Sequence, residues 1–528
     1  MNSNHSIPQI SSSFFIKTIQ TSKSERRETN NPIFEEEGVA GNNINYSETE
    51  KDKKDNDLKQ INFDLSLFWN LENLANLNDC NVVESNDRFD SFDKDITRQL
   101  DGRYCTPILW AIDKWRLEKN YQMASGRLQS MLNRLRKSPD DLANYTKEIE
   151  QLKNNKFVEE ADIDYNGLHT YLPHHLVYRK DKATTKIRPV FDGAAKTKYG
   201  PSLNDVLETG PNLNPDLLSV LLRFRLHKIA WIADIEKAFL NIALQPEDAE
   251  AIRFLWPREP ENPCSELTAL KWMRVPFGLS PSPFLLRICI NKHLSSVKTR
   301  FPETVQQIEE QLYVDDYLGG ADKKEKAIEM VEQTITLFSE AKLNMRSFAT
   351  NNKTLLHHLS EKGLKNEIVG ILSPALDGQQ KALGLRWDTK PDKFKFDPSS
   401  IVQAAEEIGE GITKRKILSI SARVFDPIGF LAPTTLLFKI IYQKLWEIGT
   451  GWDDEATTEI KDTWKNVMTG LKDFSKLEIP RWIGYSANSI ISAEIHVFGD
   501  ASESAYGAVV YIRLQEKKRK SQHRTPRK

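Results

Sequence analysis

The spacing of apolar residues divides this chain into stretches of different character. Residues 1 to about 60 are rich in Ser, Asn, Thr, Glu and Lys, and a run such as Lys51-Asp-Lys-Lys-Asp-Asn-Asp57 cannot bury a core, so this part is expected to be disordered. From about 107 to 155 the pattern turns helical, with Met123, Leu128, Met131, Leu132 and Leu135 on one face. Ser138-Pro139-Asp140-Asp141 then starts a second helix, Ser as N-cap and Pro at the first helical position, with Leu142, Tyr145, Ile149 and Leu152 as its stripe. Between about 160 and 390 short strand-like runs alternate with helices, which predicts an α+β or mixed α/β unit. Helical periodicity returns from Ser399 to Glu410 and Lys414 to Val424, breaks at Asp426-Pro427-Ile428-Gly429, and resumes to about Trp446; a last β pattern begins at Ile495. No internal repeat of fixed period is present.

Two runs in the middle stretch put acids where apolar patterning normally excludes them. In Gln311-Leu-Tyr-Val-Asp-Asp-Tyr-Leu-Gly-Gly320, strand-forming residues bounded by Gly319-Gly320 flank Asp315 and Asp316, which predicts a tight bend between two short buried strands. Two ionised carboxylates about 4 Å apart repel by roughly 4 kcal/mol at an effective dielectric near 20. Either one stays protonated or a divalent cation holds them. Upstream, Ile229-Ala-Trp-Ile-Ala-Asp234 reads as a buried strand ending in an acid, followed by a turn and helix from Ile235 to Ala243. Such an aspartate costs free energy unless paired or bound to metal. Asp234, Asp315 and Asp316 together would suffice for two Mg²⁺ ions (or Mn²⁺), an arrangement suited to phosphoryl transfer.

Composition alters this picture little. The formal charge is −1, so a nucleic-acid partner would need local patches. One exists: Arg179, Lys180, Lys182, Lys186, Arg188, Lys196 and Lys198 face only Asp181 and Asp192 between 171 and 200. Arg223, Arg225 and Lys228 alternate with apolar positions and read equally as phosphate contacts or as a snorkelling face. Cys80, Cys105, Cys264 and Cys289 lack zinc or disulfide-framework spacing, and no apolar run approaches the length of a membrane span. His174-His175 and His357-His358 read as structural or surface residues.

Tyr313-Val-Asp-Asp316 in a hydrophobic hairpin, 81 residues after an apolar strand ending in Asp-x-x-x-Ala-Phe, resembles the palm of a reverse transcriptase. Lys186 and Arg188 resemble that family's triphosphate-contacting fingers motif. Val275-Pro-Phe277-Gly278 resembles the segment beneath the templating base and nucleotide. Leu383, Gly384, Leu385 and Trp387 resemble the primer grip. The likeness narrows to the BEL/Pao class of long-terminal-repeat retrotransposons through Asp101-Gly-Arg-Tyr104, Tyr171-Leu-Pro-His-His175, Ser202-Leu-Asn-Asp205, Gly210-Pro-Asn-Leu213, Leu222-Arg-Phe-Arg-Leu-His227, Phe425-Asp-Pro-Ile-Gly-Phe-Leu-Ala-Pro433 and Phe498-Gly-Asp-Ala-Ser502.

This resemblance implies a right-hand polymerase fold of fingers, palm and thumb; joined to the patterning above it divides the chain into 1–60 disordered, 61–155 a helical extension, 156–390 fingers and palm, 391–490 a helical thumb or connection, and 491–528 an incomplete ribonuclease H-like fragment with a basic tail. It implies RNA-directed DNA synthesis from dNTPs on an RNA or DNA template with a primer strand, by two-metal nucleotidyl transfer at Asp234, Asp315 and Asp316. Ile235, Phe239, Phe277 and Gly278 would join Lys186 and Arg188 around the nucleotide, Phe239 excluding a 2′-hydroxyl. Phe277 stands where related retroviral enzymes carry Gln, which implies altered nucleotide contacts. Asp500 would be a vestigial ribonuclease H acid, and ribonuclease H activity is not expected. Other Pol segments (protease, integrase) are implied as companions, no membrane partner is, and the implied location is cytoplasmic, in a virus-like particle, with the nucleus as alternative. The rival readings are an inactive remnant retaining only nucleic-acid binding, and an RNA-dependent RNA polymerase, which Phe239 and the Tyr-Val-Asp-Asp form disfavour.

Overall fold

A computed structural model describes residues 15–19, 92–111, 114–178, 187–198, 200–364, 379–409, 411–485 and 490–516. The described residues fall into two compact units, one holding those within 92–224 and 229–379, the other holding 15–19, 225–228 and those within 380–516. Helices and mainly antiparallel sheets are mixed throughout, the α+β character expected from the alternating pattern. No helix among the described residues is long and apolar enough to cross a membrane.

In the first unit, helices α1 (Tyr121–Leu135) and α2 (Pro139–Asn154) form where the periodicity places them. Leu128, Met131, Leu132 and Leu135 on one, and Leu142, Tyr145 and Ile149 on the other, are buried. Ser138 stands at the N-cap of α2 with Pro139 behind it, but its side chain makes no capping hydrogen bond. Strands β1 (His174–Tyr178) and β2 (Ile187–Phe191) pair antiparallel.

His174 shows why a histidine can belong to a core. It is buried, its Nδ1 2.6 Å from the Tyr145 hydroxyl and its Nε2 3.1 Å from the Leu255 carbonyl oxygen. With the imidazole neutral, Nε2–H donates to the carbonyl and Nδ1 accepts from the tyrosine. Burial pushes its pKa down to about 4, the Leu255 carbonyl opposing and His175 adding a little. The unfolded chain takes up that proton near pH 6.5. The contribution is therefore complete above that value and is lost as pH falls towards 4, about 3 kcal/mol in all. Urea unfolding of wild type and His174→Gln at pH 7.5 and 4.5 should show the smaller pH dependence in the variant; equal dependence would contradict this account.

One four-stranded sheet of this unit runs β4–β5–β3–β6, with β3 (Ile229–Ile235), β4 (Leu312–Tyr313), β5 (Asp316–Ala321) and β6 (Met345–Thr350). Every β3 residue is buried except Asp234, and every β5 residue except Asp316. Contrary to expectation, Gly319 and Gly320 do not bound the strand, which continues to Ala321. Gly319 lies opposite Trp231, whose buried indole covers it so closely that a Cβ there would stand 2.3 Å from the ring. The glycine is thus a packing requirement within the strand. After β3 the chain forms a short 3₁₀ turn at Ala238–Asn241 rather than a full helix.

In the second unit, strand Gln379–Ala382, β7 (Leu385–Asp388), β8 (Lys393–Lys395) and β9 (Glu478–Pro480) make a sheet in that order. Helices α3 (Ser399–Ile408), α4 (Lys414–Ser421), α5 (Ala432–Glu447) and α6 (Thr458–Leu471) share a core that includes Ile417, Phe438, Ile441, Leu445 and Trp464. Strands β10 (Ile490–Ala501) and β11 (Tyr506–Glu516) form a long hairpin. One strand, Phe15–Ile19, pairs with β11, so the N-terminal stretch expected to be disordered contains one ordered element. Its Phe-Ile-Lys-Thr-Ile sequence is richer in strand formers than its surroundings. The rest of residues 1–60 and the basic tail beyond 516 lie outside the described residues.

Candidate active site

The site is built where β3, β5 and β6 end together. Asp316 lies opposite Asp234 in the β5–β3 pairing, and Arg346 lies opposite Asp234 on its other side, in β6. Asp315 is held through its backbone: the Ile235 amide donates to its carbonyl oxygen at 2.9 Å. Val314 makes the bend with φ of 55°, and its amide donates to Asn214 Oδ1 at 3.1 Å. A β-branched residue in the left-handed region stores of order 1–3 kcal/mol, retained when the surroundings over-determine the turn.

Burial raises the Asp315 pKa above the usual carboxylate range; Asp234's charge adds to this, while its own amide, Arg188 and Arg346 oppose it. Arg188, exposed as the second residue of β2, is thereby within electrostatic reach of Asp315. Lys186 lies outside the described residues. Arg346 Nε is 3.1 Å from Asp234 Oδ2 and its Nη1 3.2 Å from Glu236 Oε1. Between Arg346 and Ala349 the ladder shifts register, with Ser347 at φ of 55°.

The three aspartates therefore meet at one end of the sheet, but their side chains do not form the expected ready-made metal cluster. Among the described residues no group of three or more His, Cys, Asp or Glu side chains is gathered to hold an ion. The acid–arginine pair at Asp234 is what stands there instead. The donor chemistry still suits a hard cation, since carboxylate oxygens are the ligands Mg²⁺ takes.

Phe239, in the 3₁₀ turn, meets Phe277 edge to face with ring centroids 5.6 Å apart. Next to Phe277, Gly278 has φ of 89°, and a Cβ on it would lie 2.2 Å from the carbonyl oxygen of Phe191 at the end of β2. Asn204 Nδ2 donates to the Gly278 carbonyl at 3.1 Å and Asn204 Oδ1 accepts from the Ser280 amide at 3.0 Å. The Phe277–Gly278 turn is thus seated against the strand that carries Arg188. Ile235 is buried in β3, so its contribution here is its amide.

Leu383 and Gly384 form a turn, φ 46° and 90°, before β7, while Leu385 and Trp387 are buried. These four belong to the second unit. Asp500 is exposed near the end of β10, opposite Gly507. Arg225 is buried in the second unit, donating to the carbonyls of Arg481 and Pro480 and lying over the Phe430 ring, so it acts as a structural cation there. Arg223 pairs with Glu310 at 3.1 Å. Sequence reasoning missed Arg346, Glu236 and Asn214. For Asp234 the sequence leaves two outcomes, a paired acid or a metal-bound one, without naming the partner; the structure supplies it in Arg346.

Residues 180–363 match the reverse transcriptase (RNA-dependent DNA polymerase) family model, and residues 413–525 match that of the Pao retrotransposon-like RNaseH-like domain. The second match spans both the helical stretch and the β10–β11 hairpin. No curated protein matches the chain. Solved structures similar to it include the foamy viral protease-reverse transcriptase dRH with double-stranded DNA, at 16% identity and TM-score 0.45, covering 71% of this chain and 53% of that one. The foamy viral protease-reverse transcriptase with an RNA/DNA hybrid follows at 17% and 0.42, covering 71% and 41%. The chain spans about half the length of the first of these, 53%.

Proposed function

For this chain, a BEL/Pao-type retrotransposon Pol segment with a reverse transcriptase domain at its centre, we infer RNA-directed DNA polymerase activity, extending a primer 3′-hydroxyl with deoxynucleotides. The observation that carries this reading is the juxtaposition of Asp234 and Asp316 on paired strands, with Asp315 in the bend beside them.

In this mechanism Asp234, Asp315 and Asp316 are the carboxylates that would hold two Mg²⁺ ions, Mn²⁺ substituting. Bound there, the ions supply Lewis-acid stabilisation of the attacking and leaving oxygens. The chain's own residues do the rest. Val314 and the Ile235 amide fix where the Asp315 carboxyl projects, so little reorganisation is needed at the moment of reaction. Arg188, with Lys186, offers positive charge to a triphosphate. Phe239 would stand under the sugar, with Phe277 packed against it edge to face. Template and primer, RNA or DNA, would be the partners, and protease and integrase segments its companions.

Primer extension on an RNA template with Mg²⁺, supplying dNTPs and rNTPs separately, tests the reading. Extension with dNTPs alone is expected; extension with neither would overturn it, and equal use of both would remove Phe239 as the gate. Phe239→Val should lower the preference for dNTPs by about 10–100-fold, the range a pocket gains by excluding one small group. The ratio of kcat/KM values for dCTP and CTP measures this.

A further inference from the structure

The acid at the end of β3 already has a cation beside it, and that cation is part of the chain. We propose that Arg346 is a resident counter-ion for Asp234: it holds the carboxylate in place and yields it when a divalent cation binds, so that ion binding competes with an internal ion pair. This rests on the polymerase reading.

Three observations carry it. Arg346 does not grip Asp234 with both arms of its fork; Nε reaches Asp234 Oδ2 at 3.1 Å while Nη1 reaches Glu236 Oε1 at 3.2 Å. A guanidinium divided between two carboxylates can release one and keep the other, so its charge is not stranded when Asp234 turns to a metal. Next, the pair is partly exposed, with the Arg346 side chain at 41% and Asp234 at 27%, which makes it exchangeable in a way a buried pair is not. Finally, the register shift after Arg346, with Ser347 in the left-handed region, is a bulge, a device that re-aims a side chain next to a site. The arginine thus holds the Asp234 carboxylate in place before the ion arrives.

The test is Mn²⁺ binding to the full chain without nucleotide, read from the free-ion signal in electron paramagnetic resonance. Arg346→Gln removes the competitor and should tighten Mn²⁺ binding by about two- to fivefold, the factor corresponding to a partly exposed ion pair. A merely structural arginine would give the opposite, so unchanged or weaker binding overturns the proposal. Glu236→Gln removes the anchor to which Arg346 retreats and should weaken binding by a similar factor; unchanged or tighter binding there also counts against it, and this variant serves if Arg346→Gln does not fold. Asp234→Asn separates the two readings. If it leaves Mn²⁺ binding intact, the metal site itself is misassigned; if it abolishes binding while Arg346→Gln binds no tighter than wild type, only the counter-ion proposal fails.

Discussion

Asp315→Asn should lower primer extension by at least about 10³-fold, the scale of losing several kcal/mol of transition-state charge stabilisation, while leaving the fold intact. The substitution keeps the side chain's size and the carbonyl that accepts from Ile235. It removes one negative charge from a half-buried position beside Asp234. That charge is costly to the folded protein, because burial and Asp234 both push the carboxyl towards its neutral form. The variant should therefore unfold at the same temperature as wild type or slightly higher. Loss of activity with retained or improved stability separates a catalytic acid from a structural one. Single-turnover extension and thermal unfolding on the same preparations give both readings, and an active variant would remove Asp315 from the mechanism.

The largest stability effect is expected at Arg481→Met, in the second unit. Arg481 is fully buried. Its Nε and Nη2 donate to the two carboxylate oxygens of Asp392 at 2.6 and 2.8 Å, and Nη2 also donates to the carbonyls of His227 and Lys228 at 2.9 and 3.1 Å. Asp392 in turn accepts from the Trp387 indole at 2.9 Å. Methionine fills most of the volume but strands the carboxylate and the carbonyls, which costs about 3–5 kcal/mol. Denaturant unfolding should show that loss, and Asp392→Asn added to Arg481→Met should recover part of it. If the two substitutions are instead additive, the pair is not coupled.

Which parts were legible follows from the range of the interactions. Helices α1 and α2 are set by contacts within a few residues, and their apolar stripes and Pro139 foretell them. β3 and the Asp315–Asp316 bend announce themselves because acids interrupt apolar runs. Arg346 was not legible, since its partner Asp234 is 112 positions away and nothing near it in sequence advertises a site. Arg225 was ambiguous for the opposite reason: an exposed cationic stripe and a buried structural cation look alike until the carbonyls it bonds are known. Glycine was misread at 319, where a cross-strand indole rather than a turn excludes a side chain.

That indole has a further consequence for strand pairing. Trp231 and Gly319 sit three pairs along from Asp234 and Asp316 on the same two strands. If β5 slid by one residue, Leu318 or Gly320 would come beneath the ring and every β5 side chain would change face. A slide of two would bring Tyr317 or Ala321 there, and neither leaves room for it. The tryptophan and its glycine therefore work as a pawl and notch, setting the two acids opposite each other from a distance and without touching either.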